Sequence, residues 1–420
     1  MPDKAPPARP PLMALDEALS RLLANAQPVL GTESVSTFEA DGRVLAQDVV
    51  SALTVPPRDN SSMDGYAVRT KDCAAAGAVL SVAQRIPAGT VGGPLASGTA
   101  ARIFTGAQIP EGADAVVMQE DTAALEAQDA QDAFGRVRIE TPPAAGQWIR
   151  RAGEDVSRGD VVLQKGERLS PQALGLAASV GFDKLTVSLR PRVALLSTGD
   201  ELVMPGEVAP DAMKPGAIYN SNRFFMRALL KRLGCDVNDL GIVPDRREAT
   251  IDALREAAAC NDLIVTTGGV SVGEEDHIKA AVQALGSLEL WSLSMKPGKP
   301  FAYGRIGTTH ITGLPGNPVS SFLTFLLLVR PFLLTLQGAS RVAPQPVAMR
   351  ADFDWPRADR RREFLRARRN ASGGLDLFSN QSSGVLTSTV WGDGVIDTPA
   401  GQPFKAGDIV QFISFASLLA

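Results

Sequence analysis

Residues 263–285 read LIVTTGGVSVGEEDHIKAAVQAL. Five strand-favouring residues, Leu263 to Thr267, run into a glycine-rich turn. A helical stretch then extends from His277 to Leu285 and stops at Gly286. The same alternation extends outward on both sides. Strands are expected over 193–197, 237–243, 288–293 and 301–304, and helices over 222–233, 247–259 and 318–336. Strands alternating with helices of this length indicate a doubly wound, mostly parallel sheet. The fold class expected is multidomain α/β plus β, with this sheet at the centre, β-rich N-terminal regions and a small C-terminal β-barrel domain.

The flanks have a different texture. A helix from Leu15 to Leu23 is followed by short β-type runs such as RIFTG, DAVVMQE and DVVLQ, separated by Gly, Pro and Asp turns. Ser170 and Pro171 cap and start another helix. After GASRVAPQP, residues 338–346, short strands return. The units expected are a disordered tail over 1–12, a linking domain of 13–55 and 146–188, and an inserted β-rich domain over 56–145. An α/β domain over 189–338 and a β-barrel domain over 346–420 complete the chain. TAALEAQDAQDAFG, residues 122–135, reads as a solvated hairpin tip without chemistry.

Composition narrows the function. The 420 residues carry 42 Lys and Arg against 46 Asp and Glu, a net charge of −4, and 5% aromatics. This argues against a nucleic-acid or anionic-membrane partner. Two histidines and three cysteines without CxxC spacing make a structural zinc site improbable. No secretory leader is visible, and a cytoplasmic, reducing location is expected. Any chemistry falls to carboxylates, lysines, hydroxyls and backbone amides.

Ligands of an open parallel sheet bind beyond the carboxyl ends of its strands. Those ends carry Thr198-Gly199-Asp200-Glu201, Pro244-Asp245, the Gly268–Gly273 turn, Lys296-Pro297-Gly298-Lys299 and Gly313-Leu314-Pro315-Gly316-Asn317-Pro318. In 268–273, glycines let backbone N–H groups approach an anion; a tight strand-to-helix turn is the alternative. A carboxylate beside a phosphate loop needs a cation between them. With histidine scarce, that cation is Mg²⁺, and Asp276 is the metal-linked choice among Glu274, Glu275 and Asp276. Lys296 and Lys299 sit on a turn stiffened by prolines, either as a solvated face or as fixed charge toward an anion. Asn317 caps a helix that leaves amides and Ser320 available to an oxyanion. His310 reads as a sheet residue. PPRDNSSMDGYA (56–67) and RIFTGA (102–107) are dense polar turns far from this sheet in sequence.

PPRDNSSMDGYAVR, RIFTGAQIPEGADAVVMQE, RRAGEDV, STGDEL, TTGGVSVGEEDH, MKPGKPFAYG and GLPGNPVSS occur in the order found in the molybdopterin molybdenumtransferase family, which the chain resembles from about Leu15 to its C-terminus. The resemblance implies that adenylylated molybdopterin and molybdate give molybdenum cofactor and AMP, with Mg²⁺ required. It places catalytic positions at Asp59, Thr105, Asp155, Glu201, Asp245 and Asp276, with Glu201, Asp245 and Asp276 as the metal set. Gly268, Gly269, Ser271, Gly273, Lys296, Lys299, Ser320, Arg366 and Ser383 become contacts to phosphate or molybdate oxygens. The resemblance also implies a homodimer whose cleft combines both subunits. Molybdopterin adenylyltransferase and apo-molybdoenzymes are the further partners expected. Arg58, Ser62 and Ser382 depart from common family residues, and Ser382 leaves the choice between it and Ser383 open. A molybdopterin adenylyltransferase, a tungstate-specific insertase and a scaffold are the competing readings.

Overall fold

The computed structural model describes residues 12–26, 31–128, 134–269 and 277–419. Three of the expected site residues, Ser271, Gly273 and Asp276, lie outside the described residues.

The central sheet contains β1 (Arg192–Thr198), β2 (Asp236–Val243), β3 (Leu263–Thr267), β4 (Ser287–Ser292), β5 (Pro300–Ile306) and β6 (Thr309–Leu314), in the order β2-β1-β3-β6-β5-β4. The β1–β2, β1–β3 and β3–β6 pairs are parallel, and β5 runs antiparallel to both β6 and β4. Four helices cover it: α1 (Ser221–Arg232), α2 (Arg247–Cys260), α3 (His277–Leu285) and α4 (Pro318–Leu336). The period of two along β1 explains the layering. Ala194 and Leu196 pack with Leu254, Ala257, Ile278 and Ala281 of α2 and α3. Val193 and Leu195 pack on the other face with Met226, Leu230, Leu323 and Phe325 of α1 and α4. Strands apolar on both faces are the pattern of a sheet covered on both sides.

The most apolar 18-residue window of the 19-residue α4 has a mean hydropathy of 1.9, enough by length and composition to cross a membrane, yet 89% of that window is buried within the fold. One π-helical turn, Phe325–Val329, interrupts it just before Pro331, which has no N–H to donate to the helical ladder. Buried Arg330 leaves the helix to donate to the carbonyls of Leu418 and Val342, at 2.7 and 3.0 Å, and so ties down the C-terminal segment.

The N-terminal helix Leu15–Ala24 buries Leu15, Ala18 and Leu22 in the same core as α4 and as Phe364, Val395 and Ile413 of the C-terminal sheet. It therefore packs apart from the rest of 13–55, which forms a separate core with 156–187 through Leu45, Val49, Leu163, Leu169 and Val187. Residues Ala115–Met118, Gly65–Val68, Thr99–Ile103, Ala78–Ile86, Arg136–Ile139 and Thr122–Leu125 form, in that order, a six-stranded mixed sheet. Thr122–Leu125, expected in a solvated tip, is its edge strand, paired antiparallel with Arg136–Ile139. Past residue 346, five strands, Val347–Arg350, Arg362–Arg369, Leu375–Leu377, Gly394–Thr398 and Ile409–Ser414, form a third six-stranded sheet whose sixth member, Met295–Lys296, comes from the α/β region.

Candidate active site

The carboxyl ends of β1, β3 and β6 open into a cleft of about 720 Å³ lined by Thr198, Glu201, Thr267, Gly268, Gly269, Ser320 and the turn from Pro315 to Pro318. The cleft forms where sequence patterning places it, because parallel strands deliver their C-terminal loops to one edge. Gly268 and Gly269 have φ of +92° and +66°, a conformation that costs glycine little. A Cβ on Gly269 would stand 2.6 Å from Ile278 Cγ1, so the backbone here admits no side chain without a shift. Gly268 N donates to Leu314 O at 3.1 Å, tying the ends of β3 and β6 together.

Two helix starts share this cleft. Asn220 caps α1 by accepting from Arg223 N at 3.2 Å, and Asn222 Nδ2 donates to Gly316 O at 2.7 Å, which ties α1 to the turn before α4. Ser320, 4% exposed, lines the cleft from the first turn of α4. Helix N-termini carry unsatisfied N–H groups and favourable partial charge for anions. Asn220, Ser221 and Asn222 line the cleft although none of the sequence motifs marks them. The Asn-Ser-Asn run opening a helix was the signal that could have found them.

Glu201 lines the same cleft, with its carboxylate folded over Gly199. Asp245, at the end of β2, stands one strand away, and its backbone N–H reaches Asp200 Oδ1 at 3.4 Å. Among the described residues no group of three or more His, Cys, Asp or Glu is arranged to hold a metal ion. A Mg²⁺ here would rest on one or two of these carboxylates and on substrate oxygens, a pattern that ion accepts.

The expected cations divide. Lys299 is exposed and makes no ion pair among the described residues, beside Pro300 on the cleft wall. Lys296 is engaged elsewhere: its ammonium pairs with Glu363 at 3.0 Å and Asp359 at 3.3 Å, across the junction with the C-terminal sheet. Arg361 holds the Asp359 carboxyl well below the usual carboxylate range. Arg366 is 1% exposed and donates to Ser388 Oγ, Phe364 O and Ser382 O. Burial pushes its guanidinium down to about 10. It frames the 380–388 segment from beneath. That segment reaches the cleft, since Ser383 O accepts from Val319 N at 3.0 Å and Gly384 lines the wall.

Asp59, Thr105 and Asp155 lie on neighbouring loops of the N-terminal half. Asp59 accepts from Arg151 Nη1 at 2.6 Å and Ala152 N at 2.8 Å, which with the backbone bond foremost lowers its pKa. Ile109 N donates to Asp59 O, Gly106 N to Ser61 O, and Asp155 N to Val55 O, so loops 55–64, 104–109 and 151–156 form one patch. None of the residues lining the 720 Å³ cleft comes from these loops.

Comparison with known proteins covers most of the chain. Residues 13–181 match the MoeA N-terminal region (domain I and II), 194–335 a probable molybdopterin binding domain, and 348–415 the MoeA C-terminal region (domain IV). The chain is 42% identical over 339 residues to a molybdopterin molybdenumtransferase of Haemophilus influenzae, covering 80% of each. It is 33% identical over 407 residues to one of Staphylococcus aureus, covering 94% of each. A crystal structure of a molybdopterin biosynthesis moeA protein from Pyrococcus horikoshii superposes with a TM-score of 0.81 at 29% identity, over 96% of this chain and 100% of that one.

Proposed function

The chain belongs to the molybdopterin molybdenumtransferase family, transferases that insert molybdenum in molybdenum-cofactor synthesis, and we propose that its substrate is adenylylated molybdopterin, from which it releases AMP as molybdate is taken up. The observation that carries this reading is the cleft itself, where a side-chain-free glycine turn and two helix starts converge on one edge of the sheet. Such donors suit tetrahedral oxyanions and phosphates. Molybdate is a tetrahedral dianion, and the dithiolene of molybdopterin supplies the sulfur ligands, so the protein need not provide cysteine.

Gly268, Gly269 and the start of α4 with Ser320 hold phosphate or molybdate oxygens, and Lys299 adds an exposed positive charge beside the cleft wall. Glu201 and Asp245, with Asp276, are the residues that would hold Mg²⁺, which when bound offsets charge developing on the phosphoanhydride oxygens. Water opens that anhydride, and AMP leaves with its phosphate. Arg366 acts through the backbone of 382–383, keeping Ser383 against the first turn of α4.

The patch of Asp59, Thr105 and Asp155 serves the cleft of a second copy. Within one chain its loops contribute nothing to the cleft wall, so a homodimer is what brings the two halves of the site together. The test is reconstitution with adenylylated molybdopterin, molybdate and Mg²⁺, followed by assay of cofactor and AMP. Both products are expected in equal amounts. Cofactor formed without AMP would sink the adenylylated-substrate reading, and pyrophosphate release from ATP and molybdopterin alone would favour an adenylyltransferase.

A further inference from the structure

Thr105 follows the strand Thr99–Ile103, and Asp64 immediately precedes the strand Gly65–Val68; Gly65 lies opposite Ile103 in this antiparallel pair. The register brings the two side chains together. Thr105 N and Thr105 Oγ1 both donate to Asp64 Oδ1, each at 2.8 Å. These two bonds hold the Asp64 carboxyl below its ordinary value, the amide first and the hydroxyl second. Asp64 Oδ2 has no hydrogen-bond partner among the described residues.

The strand beside the pair is itself pinned. Arg102 lies between the rings of Tyr66 and Phe104, 5.1 and 4.8 Å from their centroids, and donates to Gly65 O at 3.0 Å and Gln119 Oε1 at 2.7 Å. Asp64 and Thr105 are thus two exposed side chains on a fixed frame.

An ionised carboxylate only accepts, so the hydroxyl proton of Thr105 is committed to Asp64. What Thr105 then presents to solvent is a lone pair, beside the unpaired Asp64 Oδ2. We infer that Asp64 is a positioning residue that makes Thr105 a hydrogen-bond acceptor for a donor group on the molybdopterin substrate, and not a seat for molybdate oxygens. This rests on the reading of Thr105 as a site residue given above. It goes further by fixing the polarity of the contact and naming the residue that sets it.

The experiment compares Asp64→Ala, Thr105→Val, Thr105→Ser and the Asp64→Ala/Thr105→Val double variant of the full chain. It measures KM for the molybdopterin substrate and for molybdate separately, kcat, and the melting temperature. Asp64→Ala removes the acceptor of both bonds and frees the threonine proton to point outward, and Thr105→Val removes the outward-facing acceptor. Each is expected to lower kcat/KM for the molybdopterin substrate by about tenfold. KM for molybdate and the melting temperature stay near wild type, and Thr105→Ser recovers most of what Thr105→Val loses. The double variant should be no worse than the poorer single variant, because both changes remove one interaction. Impaired Thr105→Val with unimpaired Asp64→Ala, or losses that multiply, removes Asp64 from its role while leaving Thr105 in the site. A rise in KM for molybdate overturns the acceptor assignment. Wild-type kinetics for Thr105→Val removes Thr105 from the site, and this inference with it.

Discussion

His310 shows how a single residue is read differently by chain position and by surroundings. It sits in β6, 4% exposed, with Nδ1 3.0 Å from the Tyr303 hydroxyl and its ring edge-on to Phe332. Burial pushes its pKa down to about 4 from an ordinary 6.5, so the folded protein keeps it neutral. Between those two values the unfolded chain binds a proton that the folded chain does not. Stability therefore falls as pH drops from 6.5 toward 4, by up to about 1.4 kcal/mol per pH unit for the one proton. Urea unfolding at pH 7 and pH 5 should show His310→Gln losing roughly 1–2 kcal/mol less than wild type over that interval. Equal losses in the two proteins would rule out His310 as the source. The alternation in THITGL was enough to place this residue in a sheet, but its neutrality depends on neighbours from β5 and α4. Gly268 and Gly269 are the converse case. Their pairing after a strand already announced a special backbone, and the structure supplies the positive φ and the close approach of Ile278 that require it.

At the scale of elements, the short strand Met295–Lys296 departs most from expectation. Read along the chain, Lys296 and Lys299 form one pair on a proline-stiffened turn, either a solvated face or fixed charge toward an anion. In the fold they part, because Met295–Lys296 joins the C-terminal sheet in parallel with Arg362–Arg369. This register sets Lys296 against Glu363, which is 1% exposed and also accepts from Trp355 Nε1 at 3.0 Å and Asp359 N at 2.9 Å. Removing one partner of a buried pair leaves an uncompensated charge, although the lysine end here is 40% exposed and partly screened. Lys296→Met should therefore destabilise the protein by roughly 1–3 kcal/mol, with most of that loss recovered when Glu363→Gln is added. Chemical denaturation of the single and double variants measures this. A stable Lys296→Met that has lost only molybdate affinity would return Lys296 to the cleft. No sequence signal couples residue 296 to residue 363, since the pairing joins segments from different units.

For the whole molecule, the central question is whether the two patches of candidate site residues meet. The cleft at the ends of β1, β3 and β6 and the loops carrying Asp59, Thr105 and Asp155 are separate in one chain. If a second copy joins them, a Thr105→Val chain and a Glu201→Gln chain, each impaired alone, should regain activity when co-assembled. One mixed dimer then holds one site with both lesions and one with neither, so about half the wild-type activity per dimer is expected. Mixed dimers no more active than the parents would place each complete site within one chain. By itself the sequence determined the layered α/β sheet, the edge at which its cleft opens, and the motifs that mark the family. Those features follow from local periodicity and from strands that must be covered on both faces. Only the tertiary structure decided that the N-terminal helix shares a core with the C-terminal sheet, that Lys296 serves a junction, and that Asp64 holds Thr105. Each depends on contacts between segments tens to hundreds of residues apart, where side-chain shape and register act and sequence spacing carries no record.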